Sequence, residues 1–214
     1  MSTVGKAMAV LEAFDALRPD MGLTEIARAT GFDKATARRL LIQLSEHGMI
    51  EHDEESHRYR LGPALVRLSR IREIHFPFLE IARPFVLALA DETGETTHLS
   101  EFEGGFLNST FVADSTRANR VSVATGVRLP LNGTASGLAW LAHAPESYVD
   151  QYLSQPLEAP TRFTLTDPRE IRSILAETRI RGYSVGIQGH EEGVYSTGAA
   201  IFGRDRLKMA APVE

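Results

Sequence analysis

The segment Leu23–Gly48 leaves the chain few choices of fold. It reads as two short helices joined by a glycine turn. Thr24 is placed to cap the first helix and Gly31 to make the turn, while Asp33 caps the second helix and Gly48 stops it. In the second helix Ala37, Leu40, Leu41 and Leu44 recur at helical spacing and must face a core. That turns Ala35, Thr36, Arg38, Arg39 and Gln43 outward, with Lys34 in the first turn. Such a face suits a DNA major groove, where Arg and Gln bond base edges and Lys and Thr bond phosphates. A solvated helix on an ordinary bundle carries similar charges, so the flanks decide. Met49–His52 and His57–Leu61 read as two strands around the polar turn Asp53–Ser56. A helix-turn-helix followed at once by a hairpin is a winged helix, and the wing would hold Arg58 and Arg60 near phosphates. Upstream, Val4, Ala7, Val10, Leu11 and Phe14 make the apolar face of a first helix.

A net charge of −5 looks wrong for a DNA binder until it is divided along the chain. Residues 1–76 hold eleven basic and eleven acidic side chains, and the whole excess of acid lies beyond them. The reading domain is thus neutral overall, with its positive charge gathered on one helix and the wing. This favours a defined site over coating of DNA. Cysteine is absent, which excludes disulfides and thiolate metal sites and fits a reducing cytoplasm. No stretch has the length and apolarity of a membrane span, so a cytoplasmic protein with no membrane partner is expected.

Three segments follow by composition: a DNA-binding domain over 1–62, a linker helix over 63–76 and a second domain over 77–214. After Gly62-Pro63, Ala64–His75 forms a helix with Leu65, Leu68 and Ile71 along one side, ended by Pro77. That stripe points to dimerisation, since half-sites on DNA are usually read by two-fold dimers. Beyond Pro77 helix and strand signals mix. Phe78, Ile81, Phe85 and Leu89 fit a helix ending near Gly94, followed by strands at 97–102 and 106–112 around Glu103-Gly-Gly105. A further strand is predicted near 121–124. Helices are predicted from Thr134, after Pro145, and from Asp167-Pro168 to Gly182. Strands near 183–188, 196–202 and 207–213 complete the pattern.

The run Leu129-Pro-Leu-Asn-Gly-Thr-Ala-Ser-Gly137 has two readings. Gly133 and Gly137 let backbone approach a ligand, and the amides that open the Thr134 helix offer an anion site. A tight strand-to-helix connection would need the same glycines. A nucleophile elbow is excluded, because Gly133–Gly137 centres on Ala135 rather than Ser. His190-Glu-Glu192 lacks a second His at helical spacing, and His98 reads as a half-buried or surface residue on a strand. No catalysis, metal or cofactor is expected.

The chain resembles the IclR (isocitrate lyase regulator) family of bacterial transcription regulators. The matching residues are Val10-Leu11-Glu12, Leu23–Ala27, Thr36 with Arg39-Leu40-Leu41, Leu44, Gly48 and Tyr59–Gly62. Further on they are Arg83-Pro84, Glu92–Glu95, Thr97–Leu99, Gly126, Leu129–Leu131, Thr134–Gly137, Phe163–Asp167 and Arg179–Tyr183. The resemblance implies an α+β chain: an N-terminal winged helix-turn-helix plus a C-terminal GAF-like effector-binding domain. It implies a homodimer or homotetramer on double-stranded operator DNA, with affinity modulated by a small organic acid or aromatic metabolite through the spacing of the reading domains. The DNA contacts would be Lys34, Thr36, Arg38, Arg39, Gln43 and Arg58. The ligand carboxylate would meet the amides of Ala135 and Ser136, with walls from Val121, Leu129 and Val194 and with Ser196 opposite.

The sequence departs from the family pattern in two places. Where many relatives carry an acid after the Arg-Gly-Tyr strand, this chain has Gly186. Relatives also carry a final helix beyond the equivalent of Glu214, and serines where Met209–Val213 stands. A mostly apolar ligand with one acidic group is therefore expected. The alternative is a ligand-independent regulator whose C-terminal domain only oligomerises.

Overall fold

A computed structural model describes residues 1–15, 18–203 and 209–212. The chain divides into two compact units, Met1–Phe78 and Leu79–Glu214.

In the first unit α1 (Thr3–Leu11) starts where Ser2 Oγ accepts the Gly5 amide at 3.1 Å. Strand β1 (Asp20–Gly22) leads into α2 (Leu23–Thr30), and α3 (Lys34–Glu46) follows a turn made by Gly31 at φ 70°. Strands β2 (Ile50–Asp53) and β3 (Arg58–Leu61) form the hairpin, and β1 joins its far edge to give the antiparallel order β1-β3-β2. Val10, Phe14, Met21, Ile26, Leu40, Leu41 and Ile50 form one core. Burying such side chains is the main source of stability here, at about 2 kcal/mol each. Helix α4 (Pro63–His75) ends the unit.

Three details differ from the sequence reading. Thr24 does not cap α2. The helix begins two residues earlier, with Gly22 at the cap and its amide donated to Glu25 Oε2 at 2.7 Å. Val4 is 72% exposed, and Val10 is the fully buried residue of α1. The third strand, β1, was not anticipated.

The second unit opens with α5 (Phe78–Thr93). It then runs β4 (Thr97–Glu103), β5 (Phe106–Ala113), β6 (Arg128–Pro130), α6 (Ala135–His143), α7 (Glu146–Leu153) and α8 (Pro168–Arg181). Strands β7 (Ser184–Ile187), β8 (Tyr195–Gly198), β9 (Ile201–Phe202) and β10 (Met209–Pro212) complete it. Five strands make an antiparallel sheet in the order β6-β5-β4-β10-β9, and β7 and β8 pair as a separate hairpin. Leu107, Leu129, Leu131, Leu138, Leu141, Ile171 and Leu175 fill the space between sheet, α6 and α8.

The strand expected near 121–124 is absent, and those residues form irregular chain. Strand 196–202 is broken into β8 and β9. Residues 207, 208 and 213 of the last expected strand lie outside the described residues. The face expected of α5 is also corrected. Ile81 and Phe85 are 63% and 75% exposed, and Ala82 and Val86 face inward instead. The helix carries two adjacent apolar stripes, and the stripe with the smaller side chains lies inward.

Candidate nucleic-acid interface and effector site

Helix α3 is anchored by Ala37, Leu40 and Leu41, all buried. This fixes its rotation and leaves Lys34, Arg38, Arg39 and Gln43 exposed on one side. Asp33 holds the start of the helix, since its carboxylate accepts the Thr36 amide and hydroxyl, each at 2.8 Å. Those bonds lower the Asp33 pKa. They also engage the Thr36 hydroxyl, which braces the helix start. Gln43 donates to Glu46 Oε2 at 3.0 Å while remaining exposed.

Arg58 is held within the domain. Its guanidinium binds the Asp20 carboxylate, the Asp20 carbonyl at 2.9 Å and Glu25 Oε2 at 3.1 Å. These bonds tie β3 to β1 and to the start of α2. Arg60 pairs with Glu51 at 2.7 Å. Because β1 is so short, nothing in the sequence near Arg58 signals these partners.

In the second unit the turn before α6 is pinned from outside. Buried Asn132 donates to the carbonyls of Glu158 and Leu165 and accepts the Tyr152 hydroxyl at 2.7 Å. Burial pushes the Tyr152 hydroxyl up to about 12, so it stays a neutral donor. Thr134 caps α6 by accepting the Gly137 amide at 3.0 Å. The Ala135 and Ser136 amides remain as helix-start donors with no helical carbonyl to meet.

The hairpin β7–β8 lies against that helix start. Ser184 Oγ donates to the carbonyls of Ala135 and Gly198. A Cβ at Gly186 would stand 2.5 Å from Ser196 Oγ and 3.0 Å from the Ala135 nitrogen. One at Gly198 would stand 2.6 Å from the Ser136 nitrogen. Gly186, Ser196, Ala135 and Ser136 therefore converge from two distant stretches of sequence, and the absence of a side chain at 186 lets the hairpin pack closely where amide and hydroxyl meet. Val121 joins the neighbouring end of the sheet, its carbonyl accepting the Thr96 hydroxyl at 2.7 Å. Leu129 is 2% exposed and packs among the core leucines. Val194 is half-buried just before β8, its carbonyl accepting the Gln188 amide.

His98 corrects the sequence reading most sharply. It is fully buried on β4, where a half-buried or surface position was expected. Burial, with a smaller contribution from His190, holds its pKa down at about 4. Ser184 and Gly198, which seat the hairpin on α6, were missed because nothing local distinguishes them.

Two family models match. The IclR helix-turn-helix domain covers residues 3–54, and the bacterial transcriptional regulator IclR C-terminal domain covers 74–212. The chain belongs to the IclR family. Among relatives, the glycerol operon regulatory protein of Streptomyces coelicolor is 31% identical, over 99% of this chain and 83% of its own. The HTH-type transcriptional regulator XynR of Escherichia coli is 27% identical, over 99% and 84%. A crystal structure of a putative IclR regulator from Silicibacter is 42% identical, over 99% and 84%, with a TM-score of 0.90. An IclR homologue from Microbacterium hydrocarbonoxydans, solved with 4-hydroxybenzoate, is 25% identical, over 99% and 87%, with a TM-score of 0.82. This IclR-family chain is thus a DNA-binding transcription regulator with a helix-turn-helix domain and an effector-binding domain, in a family of regulators rather than enzymes. Among its described residues no helix is long and apolar enough to cross a membrane.

Proposed function

We propose that this IclR-family regulator reads operator DNA with Lys34, Arg38, Arg39 and Gln43, and that a small organic acid bound at the start of α6 sets its operator affinity. The convergence of Gly186, Ser196 and the Ala135 amide carries the second part. Backbone donors at a helix start favour an anion through both their free N–H groups and the helix dipole. The 4-hydroxybenzoate held by the Microbacterium homologue supports an aromatic acid as one candidate. The protein would act in the cytoplasm as a homodimer or homotetramer, with the domain boundaries near 62 and 76. The exposed Val66, Leu68, Ile71 and Ile74 of α4 support self-association.

Two experiments test this. Arg39→Ala should cost about 1–3 kcal/mol of operator binding, measured by fluorescence anisotropy, if Arg39 meets a guanine edge. Lys34→Ala should flatten the salt dependence by about one unit, whereas Arg58→Ala should leave that slope alone. Wild-type operator binding by both α3 variants would sink the groove assignment.

For the pocket, Ser196→Ala should remove the hydroxyl beside the Ala135 amide and weaken acid binding by at least about tenfold, or about 1.4 kcal/mol. Operator binding without ligand should persist, because α3 belongs to the other unit. Calorimetry with 4-hydroxybenzoate and other organic acids is the measurement. Equal affinity in both proteins would put the pocket elsewhere. A wild type that binds no acid, yet binds operator, would favour the ligand-independent reading. Ser136→Phe is a poor probe, because Ser136 is 1% exposed and its nitrogen lies against Gly198.

A further inference from the structure

Along β4, side chains alternate between the two faces of the sheet, and the register shift beside Leu99 and Ser100 places its extra residue, Thr110, on β5, so His98, Ser100 and Phe102 share one face. Phe102 identifies that face. Its ring stacks on Trp140 of α6, with centroids 3.9 Å apart, so the three side chains look toward α6. Across the strand pair, Ser109 of β5 stands opposite Ser100. His98 and Ser100 are 0% exposed and Ser109 is 1% exposed. Among the described residues, neither His98 nitrogen, nor Ser100 Oγ, nor Ser109 Oγ has a hydrogen-bond partner.

Buried polar groups are almost always paired, so a patch of unpaired ones on one face calls for an explanation. Position supplies one. Thr96, two residues before His98, donates to the Val121 carbonyl. His190 is near enough to His98 to disfavour its charge. Beside His190, the Gly189 carbonyl lies 3.1 Å from where a Cβ of Gly133 would stand, at the turn leading into α6. The unpaired face of β4 therefore lies on the side of the sheet that faces α6, the helix whose first turn carries the Ala135 and Ser136 amides.

We propose that His98, supported by Ser100, is a specificity-determining residue of the effector pocket and takes the hydroxyl group of a hydroxylated carboxylic acid whose carboxylate lies at the start of α6. This rests on the reading of that helix start as the acid site. A neutral imidazole offers one N–H and one bare nitrogen, and a hydroxyl is the ligand group that both accepts and donates. A serine hydroxyl alongside adapts to either direction. Such a site rejects the analogue without the hydroxyl, since His98 and Ser100 are then buried unpaired beside an apolar atom. The second polar end of the ligand is met from β4, so its recognition does not need a side chain at position 186.

Calorimetry on the full chain with matched pairs of acids tests this: benzoate against 3- and 4-hydroxybenzoate, and hexanoate against 6-hydroxyhexanoate. In at least one pair the hydroxylated acid should bind the wild type at least about tenfold tighter. In His98→Leu the two members should bind alike, at the affinity of the unsubstituted acid, while His98→Gln should keep part of the preference. Unliganded His98→Leu should melt at or above the wild-type temperature, because it removes unpaired polar atoms. A lower melting temperature would make the imidazole a structural group and overturn the proposal. So would a hydroxyl preference that survives in a folded His98→Leu. Unsubstituted acids that bind with no hydroxyl preference would overturn the subsite and leave the acid site standing. Binding of none of these acids would overturn both.

Discussion

Gly137→Ala should lower the thermal transition of the effector unit by roughly 10 °C, equivalent to about 3 kcal/mol, and leave that of the winged helix in place. On helix propensity alone the change should help by about 1 kcal/mol, since alanine is the better residue inside a helix. The packing reverses the sign. A Cβ at Gly137 would lie 2.4 Å from the Leu131 carbonyl oxygen and 2.5 Å from its Cα. These are backbone atoms and cannot swing aside as a side-chain end would. Leu131 is itself 0% exposed, and every residue of α6 from Ala135 to Ala142 is buried. The helix must therefore back away from β6 or distort, and either move opens gaps in a close-packed core. Differential scanning calorimetry of the two transitions is the check. An unchanged or higher effector-unit transition would show that α6 has slack the packing does not reveal.

The parts of this fold legible in the sequence are those whose signals are local. Asp33, the 37-40-41-44 stripe and Gly48 define α3 and its rotation without reference to any other element. Asp167-Pro168 and Gly182 do the same for α8. What escaped is set by distant partners. The sequence gives Arg58 no sign of Asp20, because their meeting needs a three-residue strand too short to show a period. Ile81 and Phe85 have the right spacing for a core face, yet the neighbouring Ala82 and Val86 are the buried pair. Strand β4 is buried on both faces from Thr97 to Ser100, so a polar residue there could not be assigned inside or outside by alternation. The candidate effector site was legible only as a Gly-rich turn. Its other half, around Gly186 and Ser196, is brought there by a hairpin some fifty residues later in the chain.

His98 gives the second large effect, seen as acid instability. Its pKa is about 4 in the fold, held down first by burial and then by His190, against 6.5 for an unperturbed histidine. Between those values the unfolded chain takes up a proton that the folded chain refuses, so stability falls as pH falls. Above pH 6.5 both states are unprotonated at His98, and the contribution is flat. Integrated from pH 6.5 down to 4, the loss approaches about 3 kcal/mol. Burial also depresses His190, opposed by Glu191 and Glu158, and adds a background slope of the same sign. Comparing wild type with His98→Leu separates the two, because His190 remains in both. Urea unfolding of the effector unit at several pH values between 7 and 4 should show a steep decline for wild type and a shallow one for the variant. The pH-dependent part of the variant's relative advantage should arise entirely on the acid side of pH 6.5. Parallel curves would mean that the imidazole reaches water in solution, and a buried neutral histidine could then no longer be credited with discriminating a ligand hydroxyl.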